Sequence, residues 1–582
     1  MKNNIELLRH STAHILATAV LEMFPEAKFG IGPAVENGFY YDFELPRTLI
    51  PEDLPLLEEK MKEIIKANHQ FEKAEISINE ALEKFSELGQ KYKVELINDL
   101  EKSGEKTISI YKSGHLVDLC AGPHIDSAGE INPQAFALTK ISGAYWKGNA
   151  ENDQLQRIYG VVFETKDELK AYKLQQEEAV KRDHRKIGKE QGLFVFSDLV
   201  GSGLPLYTAK GAILRGEIRD YSNKLRKKIG YKEVYTPQIN RAELFKISGH
   251  YDKYKEDMFK VVSNYTKEEY FLKPMNCPQH TQIFASEMRS YKDLPIRMAD
   301  FANLHRDEKP GELSGLTRLR CFCQDDGHCF CREDQIKEEF TAVLVAIEEA
   351  MKIYEMNYHI RLSLRDENEK EKYLGGDEIW IKSQSLLEDL LKEKKISYIR
   401  GEGEAAFYGP KMDLIAKDSL GRSWQLSTIQ LDFNMPKRFE LEYTDNEGKK
   451  KTPVMIHSAI VGSPERFMGV LIEHYAGAFP LWLSPVQIAL LPISEKFADY
   501  AKTVETQLIE SGIRVEMFDQ AESLGKRISI AEKQKIPYII VVGEKEMNEK
   551  TVAVRTRRIK EQQVIPVDEF IEKMVQEIVS KS

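Results

Sequence analysis

The stretch Phe301–Cys331 reads FANLHRDEKPGELSGLTRLRCFCQDDGHCFC. On a strand, residues two apart share a face. That places Phe322, Gln324, Asp326 and His328 on one side and Cys321, Cys323, Cys329 and Cys331 on the other. The first side offers an aromatic ring, an amide, a carboxylate and an imidazole, which together can make a site. The thiols behave as small buried hydrophobes. Upstream, Arg306 and Glu308 precede the turn pairs Pro310–Gly311 and Ser314–Gly315. The pattern predicts two strands joined by a polar loop, with Arg306 on the first strand aimed at the same face.

Beyond this stretch, 582 residues are too many for one core, so three or four domains are expected. Hydrophobic content of 42% and charged content of 30% are those of an ordinary soluble chain. No apolar run reaches the roughly 18 residues of a membrane span. The opening MKNNIELLRHSTAHIL carries Arg and His inside its apolar pattern, unlike a signal peptide. Four of the six cysteines crowd into CxC pairs, a spacing that suits a reducing compartment, so a cytoplasmic location is expected. The net charge of −10 gives no general argument for nucleic acid; such a partner must be read from local patches.

Residues 1–165 show a mixed helix and strand pattern, opening with a helix from about Glu6 to Phe24. Residues 166–190 read as one long charged helix ending in KRDHRKIGKE, either a solvated connector or a basic rail for a polyanion. Residues 191–484 form a large region of strands and helices. From 485 to 582, VQIALLPI, GIRVEMFD and PYIIVVGE alternate with helices around Glu495–Ser511 and Ser523–Lys535, predicting a small, mostly parallel α/β domain.

Two clusters carry chemistry. His10 and His14 share a helix face, and Cys120 and His124 flank the turn Ala121-Gly122-Pro123. These four could ligate zinc, orient a water and a ribose hydroxyl, or be unrelated core pairs. In the large domain, Cys277 in KPMNCPQH, His328, and His457 in PVMIHSAIVGSPERF each sit at the end of a rigid element. One thiolate and two imidazoles match a catalytic zinc with a fourth position open. His280 and the crowded cysteines compete for the same role. A structural zinc on the CxC pairs is the alternative to core packing, and the alternation puts those thiols across the sheet from His328.

At these residues the chain resembles a known family. RDEKPGELSGLTRLRCFCQDDGH is similar to motif 2 of class II aminoacyl-tRNA synthetases, GSPERF with Arg466 to motif 3, and YKEVYTPQI with Pro237 to motif 1. RHSTAHIL, NGFYYD, CAGPH, KRDHRKIGK, ISGHY, KPMNCP, AAFYGPK, LDFNMPKRF and VAVRTRR follow the order of the threonyl-tRNA synthetases. Gln279 stands where glycine is usual, and Cys321, Cys323 and Cys329 replace commoner small or apolar residues.

The resemblance implies an α+β and α/β multidomain protein. Its parts would be an N-terminal α+β editing domain (1–165), a linker helix (166–190), an antiparallel-sheet class II catalytic core (191–484) and a C-terminal α/β anticodon-binding domain (485–582). The family's small ubiquitin-like N-terminal domain is expected to be absent. The implied activity joins L-threonine to ATP with Mg2+, transfers it to tRNA(Thr), and hydrolyses seryl-tRNA at a separate site. The resemblance assigns catalysis to Arg306, Arg466 and His250. ATP would meet Arg306, Glu308, Arg318, Phe322 and Arg466, and threonine would meet Gln324, Asp326, Tyr408 and Gln430. One zinc ion per subunit would rest on Cys277, His328 and His457. Editing falls to His10, His14, Cys120 and His124, supported by Asp118 and Lys93; relatives of the editing domain in alanyl-tRNA synthetases hold zinc there, whereas threonyl enzymes usually do not. Glu546 and Arg555 would read anticodon bases within a basic patch of Lys550, Arg557, Arg558 and Lys560. Motif 1 implies a homodimer.

Two other readings bear on the same residues. Prolyl and glycyl synthetases share the class motifs but are not expected to combine a zinc pocket with the HxxxH and CxxxH pairs. A paralogue that only edits or regulates would need a damaged synthetic site, yet Arg306, Cys277, His328, His457 and Arg466 are all present.

Overall fold

The computed structural model describes residues 2–35, 38–149, 151–557 and 559–581. Asn37 and Arg558 lie outside the described residues, as does the side chain of Lys560. The chain forms two compact units, Met1–Glu178 and Ala179–Ser582.

The first unit is α+β. Strands Gly38–Glu44, Gln154–Val162 and Phe136–Tyr145 pair antiparallel, with Lys28–Phe29 and Ala34–Val35 at the edge. Phe39, Tyr41 and Phe43, spaced by two, turn one face of that sheet into a core shared with the helices Lys2–Met23 and Asp53–Ala67. Residues 11–20 of the first helix are buried without a break, which marks it as an internal element and not a surface helix. A second antiparallel sheet, Glu72–Ser77, Thr107–Ser113 and Leu116–Leu119, carries Asp118 and leads into Cys120.

The segment expected as one long helix is two, Lys166–Arg182 and His184–Glu190. Asp183 leaves helical geometry and accepts a hydrogen bond from the Arg185 N–H at 2.8 Å, capping the second helix. The first of the two buries only Leu169, in keeping with a solvated segment; the second buries His184 and Ile187.

The second unit is built on an eight-stranded sheet. Its order is Lys232–Glu233, Ile296–Asp300, Asp326–Cys331, Val454–Ala459, Ser423–Asp432, Lys411–Lys417, Asn357–Leu364, Tyr398–Glu402. Only the two edge pairings are parallel. Helices Ala209–Lys228, Ile336–Ile353 and Pro464–His474 cover one face through a core that includes Cys329 and Cys331. The other face, where His328 and His457 pair in register, carries the polar cluster.

The Phe301–Cys331 hairpin does not run as one ribbon. Asn303–His305 pairs with Cys321–Cys323, and Asp326–Cys331 joins the main sheet after a break at residues 324–325. Asp325 makes the break. Its buried carboxylate accepts from the N–H groups of Ile460, Val461 and Gly462 and from the Ser222 hydroxyl. Burial raises its pKa to about 6 despite Arg226.

The C-terminal sheet is mixed rather than mostly parallel. Val515–Met517, Ile488–Pro492 and Tyr538–Val542 are parallel; Thr551–Thr556 and Ile559–Pro566 complete it antiparallel.

Candidate functional site

Cys277 opens the helix Cys277–Ala285, with Pro278 in the first turn. Its thiol and one ring nitrogen each from His328 and His457 lie within 4.8 Å of one another, all on buried residues. Asp432 Oδ2 is 3.0 Å from His457 Nε2, which holds the proton on that nitrogen and leaves Nδ1 a lone pair. His280 Nδ1 is 2.7 Å from His328 Nδ1, and its Nε2 is 3.7 Å from the Asp300 carboxylate. In the tautomer in which His328 donates from Nδ1 to His280, its Nε2 keeps a lone pair. Those two lone pairs face each other at 3.1 Å. Such an arrangement calls for a cation between them, and a thiol completes a donor set that fits zinc. Burial, with Asp326 and Asp432 close by, pushes the Cys277 thiol well above its usual pKa in the absence of a cation.

Beside this cluster is a cleft of about 270 Å³. Arg306, Glu308, Arg318, Phe322, Gln324, Gln430 and Arg466 all line it. The Arg306 guanidinium lies 5.1 Å from the centre of the Phe322 ring. Among the described residues no carboxylate pairs with Arg306 or Arg466. Burial lowers the pKa of both, and Arg306 and Arg318 add to the effect at Arg466. Arg466 Nε donates to the Thr317 carbonyl at 3.0 Å, and Arg318 bridges Glu308 and Glu312 at 2.8 and 2.6 Å. The cleft and cluster meet at Tyr408, whose ring stacks on His457 and whose hydroxyl donates to Gln430 at 2.6 Å. Asp326 is buried there and accepts from Asn276 at 3.2 Å. His250 is fully buried behind Cys277, 3.7 Å from its sulfur, with Ser248 at 2.8 Å on Nδ1. Burial, then His457 and Arg306, lowers it to a pKa of about 3.

In the first unit His10, His14, Cys120 and His124 also bring donor atoms within 4.8 Å. Cys120 Sγ stands 3.3 Å from His10 and 3.4 Å from His124. Burial lowers His14 to about 4 and His124 to about 2, so both rings are neutral at pH 7 and offer hydrogen bonds rather than charge. Asp118 is buried among Lys93 at 2.5 Å, Tyr41 at 2.5 Å and His14 at 3.6 Å. Burial works to raise its carboxyl, but these partners carry it below its ordinary value.

In the C-terminal region Arg555 is half-buried on the strand Thr551–Thr556. Glu546 Oε2 accepts from Gly543 N–H at 2.9 Å, capping the short helix Glu544–Glu549. Arg557 leaves the expected basic patch: its guanidinium binds the carbonyls of Lys535, Ala478 and Phe479.

Several residues that build the site are absent from the expected set. Arg226, fully buried, donates to Ser458 and to the Asp325 carbonyl. Glu465 accepts from the Cys323 N–H and from Arg215. Asp432 and Asp300 stand behind the imidazoles, while His280, a competing ligand by sequence, meets His328 Nδ1 instead. One sequence signal does mark Arg226: Gly327 interrupts a strand, and a Cβ there would come within 2.2 Å of the guanidinium.

Family models match three segments. They are "Threonyl and Alanyl tRNA synthetase second additional domain" over residues 108–159, "tRNA synthetase class II core domain (G, H, P, S and T)" over 259–475, and "Anticodon binding domain" over 487–577. A threonine–tRNA ligase of Gloeobacter violaceus is 47% identical over 97% of the chain and 91% of its own length. One from Synechocystis sp. is 46% identical over 98% and 95%. Among solved structures, the RNA binding domain of threonyl-tRNA synthetase from Cryptosporidium parvum superposes with a TM-score of 0.65 at 39% identity, covering 68% of this chain and 98% of that one.

Proposed function

The chain belongs to the threonine–tRNA ligase family, and from that premise we propose how its residues divide the work. The enzyme charges tRNA with threonine, using ATP and Mg2+, and edits its product. The observation that carries the residue assignment is the pair Arg306 and Arg466, partly desolvated on one cleft and, among the described residues, in an ion pair with no carboxylate. That is a site prepared for a polyanion.

In activation, the threonine carboxylate attacks the α-phosphorus of ATP and pyrophosphate leaves. Arg306 is placed to grip α-phosphate oxygens, where charge develops, and Arg466 to hold the outer phosphates. Phe322 offers a ring face for adenine, with Glu308 and Arg318 at the rim. Gln324, Asp326, Tyr408 and Gln430 surround the side chain and amino group of threonine. Cys277, His328 and His457 would hold one zinc ion, which supplies when bound a Lewis-acid position able to take the amino and hydroxyl groups of threonine together. Asp326 accepts a hydrogen bond from that hydroxyl. Valine, lacking it, leaves that buried carboxylate with the Asn276 amide but without this second donor. In transfer, a terminal ribose hydroxyl attacks the threonyl carbonyl and AMP departs. His250, neutral at pH 7, can assist as a hydrogen-bond partner.

Serine keeps the hydroxyl and loses a methyl, a difference worth only about 10- to 200-fold in binding. A second, hydrolytic site is needed, and the His10, His14, Cys120, His124 cluster is assigned that role, with neutral imidazoles to orient a water and a ribose hydroxyl. His14→Ala is expected to raise seryl-tRNA accumulation by about tenfold or more while threonine-dependent pyrophosphate exchange stays within about twofold. Undiminished deacylation of seryl-tRNA by the variant would remove His14 from the mechanism.

Glu546 and Arg555 are assigned to the anticodon, and Lys550 to sequence-blind phosphate contact. We also assign the chain to a homodimer through motif 1. Tyr235 and Ile239, 79% and 51% exposed, leave an apolar surface there. Light scattering should return twice the chain mass; a monomer at micromolar concentration would refute the assignment. Among the described residues, no helix is long and apolar enough to cross a membrane.

A further inference from the structure

His184 lies outside the synthetic cleft, yet it touches the loop that forms one wall. It is buried at the first turn of the helix His184–Glu190. Its Nδ1 is 2.6 Å from Glu473 Oε1, and the same oxygen accepts the His184 backbone N–H at 3.0 Å. Its Nε2 accepts the Leu316 N–H at 3.0 Å. Glu473 is itself fixed on its other oxygen by Arg422. The proton therefore sits on Nδ1, and Nε2 is the acceptor that the loop requires. Asp183, His184 and Glu473 come close enough to suggest a metal trio. Both ring nitrogens are already committed, one to a carboxylate and one to an amide, so the imidazole has no lone pair left for an ion.

Leu316 and Thr317 both line the cleft. The Thr317 carbonyl accepts from Arg466 Nε. A chain of contacts thus runs from Glu473 through His184 to the Leu316 amide, and one residue further to the arginine assigned to the outer phosphates. The ring has little room to move: a Cβ on Gly315 would stand 2.1 Å from Nε2, and one on Gly469 3.6 Å from Cδ2.

We propose that His184 is a positioning residue for ATP: through the Leu316 amide it sets the height of the 314–318 loop against Arg466. The inference rests on the ATP reading of that cleft.

Pyrophosphate exchange on the full-length enzyme separates this from a merely structural role. In His184→Asn, the amide reaches the Nδ1 position and can meet Glu473 but not Leu316. In His184→Gln, an amide oxygen reaches the Nε2 position and can accept the Leu316 N–H. His184→Asn is expected to raise KM for ATP about tenfold or more, with KM for threonine and seryl-tRNA hydrolysis within about twofold. His184→Gln should return KM for ATP to within about threefold of the parent. Equal rises in both substrates' KM, or no rescue by glutamine, would make the residue structural and overturn the proposal. If His184→Asn does not fold, Gly315→Ala displaces the ring from the loop side, and an unchanged KM for ATP in that variant is equally decisive against it. Failure of the ATP reading itself looks different: Arg466→Ala would then leave KM for ATP untouched in an otherwise unmodified chain.

Discussion

Arg306→Ala is expected to lower kcat/KM for threonine-dependent ATP–pyrophosphate exchange by about a thousandfold, or roughly 4 kcal/mol of transition-state stabilisation. The size follows from where the charge sits. Arg306 is half-buried and packed over Phe322, and no carboxylate among the described residues neutralises it. A phosphoryl group gaining charge in that cleft meets a guanidinium already stripped of much of its water and already oriented, so little reorganisation opposes the interaction. Arg306→Lys should recover no more than about tenfold of the loss, because an ammonium cannot grip two oxygens at once as a planar guanidinium does. The deficit should fall mainly on kcat, since the contact strengthens as charge develops. Deacylation of seryl-tRNA should survive, because its assigned residues belong to the other compact unit. A loss of less than about tenfold in kcat/KM would mean that another group carries the α-phosphate.

Much of this site could be read before any coordinates, and what could not be read has physical causes. Alternation along residues 321–331 separated Cys329 and Cys331 from His328, because a strand has only two faces; the structure puts the thiols in the helix-covered core and the imidazole opposite. The same alternation says nothing about which strands are neighbours. That His328 and His457 pair in register, 129 positions apart, is a property of sheet order, and so is the approach of Cys277. The carboxylates behind the ring nitrogens were missed for the same reason: Asp432 and Asp300 look like any strand-end aspartates until their partners are known. The break at Asp325 was hidden because one carboxylate gathers three distant amides, which no local period records. In the C-terminal domain a strand, helix, strand succession suggested a mostly parallel sheet. Only residues 543–550 separate Tyr538–Val542 from Thr551–Thr556, too few for a crossover of about a dozen residues, so that pair must be antiparallel. Length, and not hydrophobic pattern, held that information.

The second large effect is expected for Cys277→Ser. Purified parent enzyme should carry about one zinc per chain and the variant less than about a tenth of that, by atomic absorption. Serine nearly preserves volume but offers a hydroxyl that stays protonated where a thiolate is needed, so the donor set falls from three to two. Two imidazole lone pairs 3.1 Å apart would then have only a shared proton to relieve them. Threonine activation should fall by about a thousandfold or more, since the amino and hydroxyl groups lose their common anchor. Valine activation, already weak, should fall far less. The ratio that separates threonine from valine should therefore shrink toward the roughly hundredfold that an apolar pocket manages between isosteres. This second readout matters because loss of metal alone does not say what the metal does. Zinc retained at full stoichiometry in Cys277→Ser would overturn the ligand assignment. Zinc lost with the threonine to valine ratio intact would leave the ligands standing but make the ion a structural one, and discrimination would then have to rest on Asp326 and its neighbours Tyr408 and Gln430.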